Sequence, residues 1–210
     1  MKGSKEIVLI GYSGHAFVAA EVILKAGYQL AGYLDNHEKL LNPYQLPYLG
    51  CEKNEAVFEN LGEYDYFPAV GNNIIRRKIY TLINERGYTF IVAIHPRANI
   101  SSLIKIGSGT LICQGANINP LVKIGKSVIV NTGAVVEHEC ILGDFSHIAP
   151  GAVLAGNVTV GENTFIGANA IVKQGINVGK NVIVGAGAVV LHDLPDNKTY
   201  IGNPAKELIK

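Results

Sequence analysis

The sequence predicts a small α/β unit followed by a three-sided parallel coil, and three observations predict it. From position 100 to position 190 every sixth residue is Ile, Leu or Val. Glycine follows that aliphatic residue at 107, 125, 143, 161 and 179, a period of eighteen. Residues 1–95 lack this repeat and instead alternate β-rich runs with stretches of helical spacing. Neither an α-helix nor an ordinary strand has a period of six. A chain that turns an aliphatic side chain inward at every sixth position must wind around one long core, and three hexads then make one coil. The fifth position of most hexads is small or β-branched (Thr110, Ala116, Val122, Val128, Ala134, Cys140 and onward), which suits the corner of a triangular prism. The stretch from 100 covers about five coils.

The first unit reads strand by strand. Residues 6–10 form a β-rich run, Gly11-Tyr12-Ser13-Gly14 a turn, and 15–26 a helix stopped by Gly27. A second strand covers 28–34 and ends at Asp35; a Pro- and Asn-containing loop runs from 36 to 47; 54–60 is a short helix. A third strand at 64–70 leads through Gly71-Asn72-Asn73 into a helix at 74–86, and 88–94 is the last strand. Such alternation implies a small parallel sheet covered by helices. His95-Pro96 marks the boundary between units 1–95 and 96–210, the second ending in a tail after Leu194-Pro195.

Bulk composition excludes several functions. Lys plus Arg number 18 and Asp plus Glu 17, a formal charge of +1, which offers nothing to nucleic acid or an anionic membrane. The triplet Arg76-Arg77-Lys78 reads as the solvated face of a helix. Three cysteines without C-x-x-C spacing argue against a disulfide framework and a thiolate zinc site. Residues 1–6 run straight into an apolar stretch at 7–10, too short for a signal-peptide core or a membrane span. The expectation is a soluble cytoplasmic protein without membrane insertion.

The strongest chemical signal is Asn131-Thr132-Gly133-Ala134-Val135-Val136-Glu137-His138-Glu139-Cys140, followed by Gly143-Asp144-Phe145-Ser146-His147. His138 lies two residues past the core position of its hexad, so its ring faces outward. Imidazole there suits a general base, with Glu137 or Glu139 to orient it. Gly156, eighteen residues on, stacks on His138 and is the candidate source of a backbone N–H for an oxyanion. Cys140 packs as a small hydrophobe, and Cys113 has no His partner in sequence. Gly11-x-x-Gly14 between strand and helix gives a Rossmann-like reading without the full G-x-G-x-x-G spacing. Its glycines and helix N-terminus suit a phosphate, and Asp35, at the end of the second strand, suits a ribose.

The hexads resemble the hexapeptide-repeat acyltransferases, and this resemblance implies a left-handed parallel β-helix and a homotrimer with sites between chains. The 136–148 segment, the Gly11–His15 turn, Gly71-Asn72-Asn73 with 76–80, and the closing Gly202-Asn203-Pro204-Ala205-Lys206 are similar to one group over essentially the whole chain. That group is the family of UDP-N-acetylbacillosamine N-acetyltransferase and the sialic acid O-acetyltransferases. The resemblance implies His138 as base and Glu139 as the acid that raises its basicity. It implies His147 and the backbone at Ala168 and Ala186 as acetyl-CoA contacts, with the terminal segment closing over the CoA end. Lys206, in that segment, is a candidate phosphate contact. Gly11, Ser13, Gly14, His15, Asp35 and Asn36 would hold the UDP part of an amino sugar, with Gly71 and Asn72 facing the same crevice. The bacillosamine enzyme differs at the positions of Ala168 and Ala186 and at Asp35-Asn36, and its counterpart of 42–63 is shorter.

The expected reaction is acetyl transfer from acetyl-CoA to the 4-amino group of a UDP-amino sugar, with no metal. The alternatives are O-acetylation of a sialic acid, a three-histidine metal hydratase on the same prism, and a non-catalytic trimer that binds nucleotide sugars. For the hydratase the chain offers His138, His147 and His192.

Overall fold

The computed structural model describes residues 6–59 and 61–209. The leader reading of residues 1–5 and the last residue of the 54–60 helix, Asn60, lie outside them. Four parallel strands form the first sheet in the order β3-β2-β1-β4, with β1 at Ile7–Ile10, β2 at Leu30–Leu34, β3 at Tyr48–Gly50 and β4 at Asp65–Pro68. Helices α1 (Gly14–Lys25), α2 (Ala56–Glu59) and α3 (Asn73–Glu85) complete the unit. β1 is wholly buried because it is central and covered on both faces, as its continuous apolar run requires.

Two expectations are corrected here. β3 has no counterpart in the sequence reading. It is a three-residue edge strand just after Pro47, and it pairs with β2, where Gly32 leaves room for the Pro47 carbonyl. The predicted strand 88–94 does not complete this sheet. Phe90 makes a single bridge to Tyr66, whereas Ala93–Ile94 pairs with Leu111–Ile112. Ile94 is in the same six-residue frame as Ile100, so the coil begins before His95.

The second unit is a β-helix of hexapeptide repeats. Two-residue strands stack in register eighteen residues apart on three faces, here named by the members Ile129–Val130, Val135–Val136 and Ile141–Leu142. The core positions predicted at the fifth place of each hexad are closed: Thr110, Val128, Ala134, Cys140, Ala152, Val158, Ala170, Val182 and Ala188 are all 0% exposed. The eighteen-residue glycines also have a physical cause. A Cβ on Gly107, Gly143 or Gly161 would lie 2.5–2.6 Å from backbone of the next coil. The predicted end at Leu194-Pro195 is passed by one rung, because Thr199–Ile201 pairs with Ile183–Val184 and Lys206–Glu207 folds back antiparallel on it.

Each corner contains one left-handed residue, every sixth position from 109 to 187, with φ between 50° and 75°. Glycine or asparagine fills most of these places, as sterics favour. Leu121, Ser127, Glu139 and Phe145 are the exceptions.

Candidate active site

Glu139 owes its position to that corner conformation. At φ 63° its carboxylate turns back along the chain, and Oε2 lies 3.1 Å from Nδ1 of His138. The two residues sit in a turn, so strand alternation, which would have sent them to opposite faces, does not apply. Glu137 is occupied elsewhere, accepting from Asn119 Nδ2 at 2.7 Å. Both partners are open, with 51% of the His138 side chain and 57% of Glu139 exposed. The imidazole lies over Gly156, where a Cβ would be 2.6 Å from Nε2. The Gly156 N–H has no internal acceptor among the described residues. This arrangement can take a proton at Nε2 while Nδ1–H is held by a carboxylate.

A non-glycine residue in the left-handed region is strained by about 1 kcal/mol. Glu139→Asn is therefore expected to raise the thermal midpoint, since Asn157, Asn163, Asn169 and Asn181 already adopt this conformation. The same change should lower kcat by about tenfold or more, because the imidazole loses its carboxylate partner. Thermal unfolding and acetyl-transfer assays on one preparation check both signs.

The N-terminal turn is built around Gly11 and Asp35. Gly11 has φ 89°, and a Cβ there would lie 2.4 Å from Val70. Asp35 accepts from the Tyr12 N–H at 2.9 Å and the Asn36 N–H at 2.7 Å, and pairs with Lys39 at 2.8 Å. Its carboxylate thus ties the turn to the end of β2. Asn36 is exposed and accepts from Lys53 Nζ at 2.9 Å. Ser13 caps α1 by position without using its hydroxyl, and a Cβ on Gly14 would meet open space. Both face solvent at a helix N-terminus, where anions are favoured.

Where α1 and α3 meet the prism, two histidines are enclosed. His147 is 7% exposed, its Nδ1 3.3 Å from the Gly71 carbonyl and its Nε2 3.1 Å from Asn131 Nδ2. Its ring lies edge-on to Phe165 and 6.0 Å from the His15 ring. Burial, then the Arg76 charge, lowers His15 to about 4 and His147 to about 3. Both are neutral at physiological pH, and the His15 Nε2 is buried without a partner. Beside them Gly71, Asn72, Ile74, Asn163, Phe165 and Ile183 line a crevice of about 460 Å³.

Ala168 and Ala186 stack eighteen residues apart where the Phe165–Ile166 and Ile183–Val184 rungs turn onto the next face. The N–H groups of both lack internal acceptors among the described residues. Lys206 is exposed on the closing hairpin strand. The thiols of Cys140 and Cys113 are buried and pushed up to about 11 and about 12, which leaves neither a thiolate. No group of three or more His, Cys, Asp or Glu that could hold a metal occurs among the described residues.

The predicted residues therefore form separate groups on one chain. His138, Glu139 and Gly156 occupy the corner after the Val135–Val136 face, while α3 and the crevice rest on the corner that precedes the Ile129–Val130 face. The reading of 76–78 as a solvated face is wrong at Arg76, which is 1% exposed and buried against prism carbonyls. Asn73, Arg76, Arg77 and Tyr80 form one helical stripe toward the prism, a spacing that was legible but polar. Phe145 was also missed. Its cue was an aromatic at a corner place normally given to glycine or asparagine, and it packs edge-on against Tyr80 at 5.5 Å.

Comparison with known proteins bears on the family of the chain. The PglD N-terminal domain matches residues 6–83, the bacterial transferase hexapeptide (six repeats) matches 121–156, and the hexapeptide repeat of succinyl-transferase matches 157–192. The acetyltransferase domain of PglB from Neisseria gonorrhoeae FA1090, solved with acetyl coenzyme A, is 37% identical with a TM-score of 0.92, over 98% of this chain and 100% of that one. A histidine-to-asparagine mutant of perosamine N-acetyltransferase from Caulobacter crescentus, solved with CoA and GDP-perosamine, is 36% identical with a TM-score of 0.93, over 99% of each chain. UDP-N-acetylbacillosamine N-acetyltransferase of Bacillus subtilis (strain 168) is 36% identical over 110 residues, 51% of this chain and about half of that protein's length. With identity above a third across the whole chain in two solved structures, and with both sets of domain models matched in order, this chain belongs to the hexapeptide-repeat sugar acetyltransferases that have a PglD-type N-terminal domain.

Proposed function

We propose that the protein transfers acetyl from acetyl-CoA to the 4-amino group of a UDP-linked amino sugar, with His138 as general base. The observation that carries this reading is the exposed His138–Glu139 pair over Gly156 in a chain similar throughout to N-acetyltransferases. The amine nitrogen attacks the thioester carbonyl and its proton passes to Nε2 of His138. Glu139 holds Nδ1–H and stabilises the imidazolium that forms. A C–N bond forms, the C–S bond breaks, and the proton moves on to the departing sulfur. The Gly156 N–H, next to the ring, is the donor assigned to the developing oxyanion.

The geometry of the corners supports one placement of the substrates. The glycine turn at 11–14, Asp35, Asn36 and the Gly71-Asn72 wall take the nucleotide sugar. The unpaired N–H groups of Ala168 and Ala186 suit the amide-bearing arm of CoA, with His147 nearer the thioester and Lys206 toward the phosphates. Base and crevice lie on different corners of one chain, and in this reading a neighbouring subunit brings them together, which supports a homotrimer. No described helix is long and apolar enough to cross a membrane. Both substrates are cytoplasmic metabolites in this reading.

The test is a panel of UDP-4-amino sugars, GDP-perosamine and free sialic acids, followed by CoA release. A UDP-4-amino sugar is expected to give the highest kcat/KM. Turnover of sialic acids alone would replace this reading with O-acetylation. Binding of nucleotide sugar with no acetyl-CoA binding in calorimetry would replace it with a non-catalytic trimer.

A further inference from the structure

Arg76 is 1% exposed and has no carboxylate partner among the described residues. Its guanidinium instead spans three places. Nε donates to the Ser127 carbonyl at 2.8 Å. Nη2 donates to the carbonyls of Phe145 at 2.8 Å and Ser146 at 3.2 Å, one coil further on, and to Asn73 Oδ1 at 2.9 Å. Nη1 donates to the carbonyls of Gly71 at 3.0 Å and Val70 at 3.2 Å. One rigid fork thus joins two successive prism corners to the turn that walls the crevice, a geometry that a lysine cannot reproduce.

The Gly71 carbonyl is the shared element. It accepts from Arg76 and also faces Nδ1 of His147 at 3.3 Å. A carbonyl only accepts, so Nδ1 is the protonated nitrogen and Nε2 is left to accept from Asn131. The titratable groups facing this ring are Arg76 from α3 and His15 from α1, with no acid among the causes that act on it. A buried cation without a counter-ion is costly to keep. Here it sits where the two units of the chain meet beside the predicted ligand contacts.

We propose that Arg76 is a positioning residue: its guanidinium seats the 70–73 turn on the prism, and thereby sets both the crevice wall and the Nδ1-protonated form of His147. Its kinetic arm rests on the acetyl-transfer reading above, while its spectroscopic arm does not. Burial lowers Arg76 to about 9, so it remains a cation at neutral pH and opposes a second proton on either histidine.

The experiment uses the full chain with Arg76→Lys, Arg76→Gln and Asn73→Ala, the last removing one acceptor of the fork together with the Asn73 Nδ2 bonds to the Asn163 and Thr164 carbonyls, and leaving the charge. Steady-state kinetics and imidazole 15N spectra are recorded across pH 5–8. Both Arg76 variants are expected to raise KM for the nucleotide sugar by about tenfold or more, with kcat changed less than about threefold, since misplacing a wall weakens capture. In the wild type His147 is expected to remain the Nδ1–H tautomer over the whole range. In Arg76→Gln, with the Gly71 carbonyl no longer held in place, it is expected to show mixed tautomers. If the Arg76 variants do not fold, Asn73→Ala is expected to raise KM by about threefold. An unchanged KM together with an unchanged His147 spectrum in any folded variant overturns the proposal, as does a fall in kcat at constant KM. If the wild type turns over no amino sugar, the functional reading fails and the 15N arm alone decides the role of Arg76.

Discussion

Replacing His138 by alanine is expected to lower kcat for the amino-sugar substrate by about 10²–10⁴-fold, the usual worth of a positioned general base. In free energy that is about 3–5 kcal/mol of transition-state stabilisation. The fold should not suffer. The side chain is 51% exposed, it lies above a corner rather than in the core, and its carboxylate partner is also open to solvent. The thermal midpoint is therefore expected to stay within the range of a neutral surface change, about 0.5 kcal/mol. Wild-type turnover in His138→Ala with the true substrate would sink the mechanism. A large loss of stability would instead place the imidazole among the supports of the coil, a role its exposure does not suggest.

Gly161→Ala is expected to have the largest effect on stability, about 2–3 kcal/mol, from overpacking between coils. The added Cβ would lie 2.5 Å from the Gly179 carbonyl carbon and oxygen and 2.6 Å from the Lys180 nitrogen. These are backbone atoms of the next rung, and no side-chain rotation relieves them. Gly187→Ala is the control, because nothing lies within 4 Å of its Cβ position and only its φ of 66° opposes a side chain. That strain costs about 1–2 kcal/mol. Urea midpoints of the two variants separate close approach from backbone conformation; equal shifts would contradict the stacking argument.

The coil was legible because its repeat is imposed by burial. Once Ile118, Val136, Leu154 and Val172 must all point into one prism, their spacing is set by the length of a rung, and the spacing is visible in sequence. The outward position of His138 followed from the same frame. The choice of Glu139 over Glu137 did not, because it depends on a left-handed turn and on Asn119 engaging the other carboxylate. Arg76 was read as solvated because an arginine in a charged triplet usually is. Its burial depends on carbonyls 51 to 70 residues away, which local pattern does not encode. The short edge strand β3 was lost for a similar reason, since three residues contain too little alternation to register.

By itself, then, the chain's order of residues determined the prism, its rung length, its glycine column and the outward face of its principal histidine. These are consequences of local sterics and of burying a periodic set of side chains. Only the tertiary structure decided which acid meets that histidine, how the first sheet docks through Arg76, and that the crevice and the base occupy different corners. Those outcomes depend on backbone groups brought together from distant parts of the chain, whose identity as amides is the same at every position and leaves no mark in the sequence.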